Sequence, residues 1–165
     1  MENRYFENPL KKPKEYSAGP EQALLQEQIK NLLHSRSVEL VESEVRFKAI
    51  FENAPIGFVI FDRQLVIVCA NPKLEAFLGY GRGELVGKHI KDLYLEEDCA
   101  EAAKHAGQLD CGDADAFRLE RRYRRKDGTL AWGWLVCSVL RDEGGGHSGY
   151  LAMIEDIGER KSRSA

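Results

Sequence analysis

The sequence predicts an α+β domain: a five-stranded antiparallel sheet with a short helical insert between strands 2 and 3, preceded by a long amphipathic helix. Three observations carry this. Apolar residues recur at spacings of three and four between Leu24 and Val45, then give way after Ala54-Pro55 to β-branched and aromatic runs. Asn71-Pro72 and Gly79 bracket a short segment with the residue types that start and stop a helix. The last third is strand-like again, cut by turns at Lys126-Asp127-Gly128 and Gly144-Gly145-Gly146.

Residues 1–20 carry Pro9, Pro13, Gly19 and Pro20 among polar neighbours and predict an irregular arm. Residues 21–53 predict the long helix, with Leu25, Ile29, Leu32, Val38, Val41 and Val45 on its apolar stripe and Ser35-Arg36-Ser37 as the place where it would break. Such a stripe has to be buried. Its spacing suits a short coiled coil between two copies, and equally a helix folded back on its own domain. Residues 54–161 form the domain. Strands at 56–62 and 65–70 are joined by a turn at Asp62-Arg63-Gln64, and the helix after Asn71-Pro72 carries Leu74, Phe77 and Leu78. Short helical pieces follow at 83–87 and 89–95, then a helix over 96–109, with Asp98 as its cap and Gly112 as its stop. Strands at 116–126, 129–141 and 149–157 complete the sheet, and 162–165 are a tail. Two strands are apolar on both faces, Phe58-Val59-Ile60-Phe61 and Trp132-Gly133-Trp134-Leu135-Val136-Cys137, so each side of the sheet needs a cover.

Composition narrows the function classes. At 165 residues, 43% of them hydrophobic, the chain suits one core plus an arm. Its 24 Lys+Arg against 27 Asp+Glu leave a charge of −3, which gives no general field for nucleic acid or an anionic membrane. The basic run from Arg118 to Lys126 alternates sides along its strand, so it makes no continuous patch. No apolar stretch approaches the roughly 20 residues of a membrane span, and the polar N-terminus is unlike a secretory signal. The expectation is a cytoplasmic protein. Cys69, Cys99, Cys111 and Cys137 form no C-x-x-C pair and read as free thiols.

Chemical motifs are few. His34, His89, His105 and His147 are scattered, like the cysteines, which argues against a zinc site. Gly83-Glu84-Leu85-Val86-Gly87-Lys88-His89 lacks the spacing and hydroxyl of a phosphate loop. No nucleophile elbow is present, and the adjacency of His147 and Ser148 makes no dyad. Glu96-Glu97-Asp98 reads as a solvated helix start. No enzyme is expected, a small hydrolase on an α+β frame being the distant alternative.

Several segments in order, from about Val45 to Lys161, resemble a PAS domain with its C-terminal extension. They are Arg46-Phe47 with Ile50-Phe51-Glu52-Asn53-Ala54-Pro55-Ile56-Gly57, Asn71-Pro72, Leu78-Gly79-Tyr80, and Glu84-Leu85-Val86-Gly87-Lys88. Tyr123-Arg124-Arg125-Lys126-Asp127-Gly128-Thr129 with Trp132, and Glu155-Asp156-Ile157-Gly158-Glu159-Arg160-Lys161, complete the set. The chain departs from the family at Gln64-Leu65, where a glycine is usual in the first hairpin. The resemblance implies a bacterial signal-transduction module that senses a small ligand or redox state. It would relay the signal through flanking helices to a histidine kinase, diguanylate cyclase or transcriptional regulator, in cis or in trans. The competing reading is a ligand-free module for homodimerisation or docking.

The family's pattern places Val59, Phe61, Leu74, Phe77, Ile90, Leu93, Leu119, Tyr123, Leu135 and Ile154 on the inward face, as pocket or packed core. Arg121 falls on the same side and, if buried, needs an anionic partner; His89 is a second polar candidate. Phe58, Ile60, Trp132, Trp134, Val136 and Met153 would face outward, as a seat for the long helix or for a second copy in a homodimer. No cofactor is named by the sequence. Flavin-binding relatives place a reactive cysteine where this chain has Ile90, and His105 lies out of register for the axial ligand of haem-binding relatives. Cys99 is likewise out of register for the chromophore attachment of yellow relatives.

Overall fold

A computed structural model of the chain describes residues 19–164. The arm expected over 1–20 therefore lies almost wholly outside the described residues. The contacts separate into two units, divided between Val45 and Arg46. Helix α1, Pro20–Asn53, starts in the first unit and ends in the second. It runs unbroken through Ser35-Arg36-Ser37, where the sequence suggested a break. The Ser37 hydroxyl donates to the Leu33 carbonyl at 2.8 Å, so the group that would compete with the helix is absorbed into it. What changes there is the phase of the apolar pattern, because Leu32 and Val38 stand six apart rather than a heptad's seven.

In the second unit a five-stranded sheet has the order β2-β1-β5-β4-β3. Its strands are β1 (Gly57–Phe61), β2 (Ile67–Ala70), β3 (Ala116–Arg124), β4 (Leu130–Arg141) and β5 (His147–Asp156), all antiparallel to their neighbours. Helix α2 (Pro72–Leu78), a 3-10 turn (Ile90–Asp92) and helix α3 (Glu96–Asp110) lie between β2 and β3 in the chain. These elements send Leu74, Leu78, Leu93 and Leu109 into one core with Val59, Phe61, Leu135 and Ile154 of the sheet. That cluster covers one face of a sheet whose strands are apolar on both sides.

The β1–β2 turn shows what the missing glycine entails. Asp62 Oδ1 accepts from the Gln64 and Val66 amides at 2.8 and 3.0 Å, and Leu65 takes φ 62, the left-handed conformation that glycine adopts freely. Asn71 is the expected cap, its Oδ1 accepting from the Leu74 amide at 3.1 Å, and Gly79 closes α2 at φ 76.

Four local expectations need correction. Residues 83–87 are turns rather than helix, because Gly83 and Gly87 both take positive φ, 74 and 85. Residues 89–95 hold only the 3-10 turn, capped by His89, whose Nδ1 accepts from the Lys91 amide at 3.1 Å. Asp98 is not a cap: Leu95 occupies that position without a side-chain bond, and Asp98 sits with Glu96 and Glu97 in the first turn, where all three favour the helix dipole. The end of the chain is no plain tail either. Helix α4, Gly158–Arg163, begins where Asp156 Oδ1 accepts from the Gly158 amide at 2.8 Å.

A buried chamber on the inward face of the sheet

Strand register decides which side chains meet. Leu119, Leu135 and Ile154 stand in one row across β3, β4 and β5, Cys137, Ala152 and Val59 in another, and Tyr150 faces Phe61. Between these rows and the helical insert lies a chamber with about 30 Å³ of free space, room for one or two waters. Of the residues expected on this side, Val59, Phe61, Leu74, Ile90, Leu93, Arg121, Tyr123, Leu135 and Ile154 line it. Phe77, His89 and Leu119 stand outside the lining. Phe77 turns its ring edge-on to Tyr123 at 6.0 Å, His89 is spent on capping the 3-10 turn, and Leu119 packs half-buried beside the core. His105 is also elsewhere, its ring stacked 4.7 Å from that of Phe117.

Tyr94, Phe117, Cys137, Tyr150 and Ala152 line the chamber without having been anticipated. Period-two alternation from Ile154, Leu135 and Tyr123 reaches all of these but Tyr94. Tyr94 belongs to an irregular segment with no period to follow.

The chamber is apolar except at one corner. The Arg121 side chain is only 2% exposed, yet among the described residues Nη1, Nη2 and the Tyr123 hydroxyl make no well-formed hydrogen bond, the Tyr94 phenol lying close to both groups. The guanidinium lies 4.4 Å from the centroid of the Tyr94 ring, which offsets part of its desolvation. Glu101 Oε2 approaches Nη2 at 3.7 Å, too far for a hydrogen bond, from a side chain that is 59% exposed. Opposite Arg121 stands Gly133. A Cβ there would meet Tyr123 Cε2 and Ile154 Cγ2 at 2.8 Å, so the missing side chain makes the room in which Tyr123 lies.

Burial pushes the Tyr123 and Tyr94 phenols above their ordinary range, the nearby guanidinium offsetting part of the shift. It also pushes the Cys137 thiol up to about 12. The Tyr150 phenol is raised by burial first and then by Asp110, whose carboxylate accepts its proton.

On the opposite face, register puts Phe58, Met153 and Val136 in one row, pairs Ile60 with Leu151, Trp132 with Arg122, and Trp134 with Glu120. Trp132 lies beneath two cations, Lys161 Nζ at 4.6 Å and the Arg122 guanidinium at 5.8 Å. Glu120 accepts from Arg160 at 3.3 Å and pairs with Lys161, tying α4 to β3. Phe47, Ile50 and Phe51, at the end of α1, line an apolar groove with Phe58, Ile60 and Leu151. Leu25, Ile29, Leu32, Val38, Val41 and Val45 belong to the first unit, and none of them is buried.

The sheet and its helical insert agree with a known family: its sequence profile, described as the PAS fold, matches residues 51–162. The chain belongs to the PAS family. This PAS domain is 31% identical over 120 residues to the probable diguanylate cyclase DgcE of Escherichia coli, covering 73% of the chain and 11% of that protein. It is 26% identical to the sensor histidine kinase TmoS of Ectopseudomonas mendocina, covering 78% of the chain and 13% of the relative. The chain thus spans a small part of the signalling proteins it matches. Among solved structures, the PAS domain of an HTR-like protein from Haloarcula marismortui superposes with a TM-score of 0.63 at 26% identity, over 75% of this chain and 99% of that one. No helix among the described residues is long and apolar enough to cross a membrane.

Proposed function

We propose that this PAS domain is the sensory input of a cytoplasmic signalling protein, with the inward chamber as its receiving site. Occupancy would shift an equilibrium that the flanking helices transmit to a kinase, cyclase or transcriptional effector. The observation that carries the reading is the unbalanced polar corner: a guanidinium and a phenol held in an apolar interior with their hydrogen-bonding capacity open. A packed core without function would have filled those positions with apolar side chains or paired them. Similarity to a probable diguanylate cyclase and to a sensor histidine kinase supports the signalling reading.

A second reading keeps the chamber shut and uses the domain for homodimerisation. It is favoured by the small free space and by the apolar groove along Phe47, Ile50, Phe58 and Ile60. Native mass spectrometry of freshly purified protein, beside a denatured sample, separates the two. The sensory reading expects an added mass that denaturation releases, or one acquired on incubation with a metabolite extract. A dimer that stays at bare chain mass in both conditions selects the docking module.

A further inference from the structure

Among the described residues the Arg121 charge is only partly balanced. The nearest carboxylate, Glu101, stands at 3.7 Å on the solvent side and shares itself with His105 Nε2 at 3.5 Å. Arg121 and Tyr123 both line the chamber, and among the described residues neither Nη atom nor the Tyr123 hydroxyl has a well-formed hydrogen bond, the Tyr94 phenol being their polar neighbour. A buried cation with open donors selects an anion. The apolar remainder of the wall selects which one. A phosphate or sulfate would turn unmatched oxygens toward Leu93, Leu135 and Ile154, while a halide would leave those side chains without an apolar partner. A carboxylate presents two oxygens in the plane of the guanidinium fork and carries an apolar body behind them.

We propose that the chamber's ligand is a small monocarboxylate of a few carbons, its oxygens on the Arg121 Nη groups and the Tyr123 hydroxyl and its alkyl body against Leu93, Leu135 and Ile154. This rests on the sensory reading above and narrows it to one chemical class. The free space sets the size: the head group fills it, and each added carbon has to be accommodated by movement of α3, whose Ala102 and Ala106 form the wall on that side. Glu101 competes with the ligand for the same guanidinium. It is a positioning residue whose negative charge weakens carboxylate binding.

The test titrates the full chain at pH 7, in a carboxylate-free buffer, with acetate, propionate and butyrate, each against its neutral amide. Heteronuclear NMR follows the Arg121 side-chain and Tyr94 and Tyr123 ring signals. At least one acid is expected to bind about tenfold or more tightly than its amide, the difference made by charge-assisted hydrogen bonds. Arg121→Gln should remove that preference, Tyr123→Phe should weaken acid binding by about threefold, and Glu101→Gln should strengthen it. Melting of the empty variants guards against a purely structural role: Arg121→Gln should melt no lower than the parent, since it relieves an uncompensated charge. An amide that binds as well as its acid, or acid binding untouched by Arg121→Gln, overturns the carboxylate assignment while leaving the sensory reading intact. Absence of binding by all three acids overturns it too, and the native mass spectrum then decides separately whether any other ligand occupies the chamber.

Discussion

Two buried polar side chains in this domain are treated in opposite ways. Asn71 is fully buried and fully used: Oδ1 accepts from the Phe58 and Leu74 amides at 2.8 and 3.1 Å, and Nδ2 donates to the Phe51 and Ile56 carbonyls at 3.0 and 2.9 Å. It fastens the end of α1, strand β1 and the start of α2 at one point. Arg121, just as deeply buried, leaves both terminal nitrogens open. A polar group kept inside for folding has every bond closed by its own chain. The open nitrogens of Arg121 are the ones that the proposed carboxylate would close.

The contrast is sharpest at Asn71. Asn71→Ala strands the Phe58 amide and the Phe51 and Ile56 carbonyls, while the Leu74 amide keeps the backbone carbonyl of residue 71, and should cost about 3 kcal/mol, read as a lower urea midpoint. A loss below about 1 kcal/mol would mean that the corner holds without its fastener. Next comes the dryness of the chamber, reported by Cys137. Burial raises the thiol from an ordinary 9.0 to about 12, so the folded state keeps the proton that the unfolded chain gives up. The associated stability is present in full below pH 9 and drains away as pH climbs toward 12, at up to about 1.4 kcal/mol per pH unit for that group. Cys137→Ala should flatten the alkaline limb of the stability curve, and a thiol that titrates at its ordinary value would show that water floods the chamber. At Arg121 the expected sign reverses: Arg121→Met should stabilise the empty protein by about 1 kcal/mol, and destabilisation of that size would place Arg121 with Asn71 as a structural residue. The smallest effect belongs to Leu65→Gly. Relief of the left-handed backbone, about 1 kcal/mol, nearly cancels the apolar contact of a half-buried leucine, so thermal melting should shift little in either direction.

The sequence made the sheet legible because its strands are long, apolar and bounded by Asp127-Gly128 and Gly144-Gly145-Gly146. The resemblance to the family's pattern then suggested most of the chamber wall. Irregular backbone resisted. Tyr94 follows a 3-10 turn of only three residues, too short for any periodicity to fix a facing direction. His89 looked like a pocket group because its type suggested chemistry, whereas its ring nitrogen serves a local cap. Helix α4 was missed because its stability comes from outside itself: Arg160 and Lys161 reach across to Glu120, a partner forty residues away in the chain. Alternation put Arg121 on the inward side and left its burial open; that its nearest carboxylate, Glu101, stands at 3.7 Å is a property of the assembled fold.

Glu120 and Arg121 are consecutive on β3, so the pleat turns one outward and the other inward. The outward one grips the last helix and the inward one waits in the chamber. Neighbouring residues of one strand thus serve different layers, and the pleat alone separates the two roles.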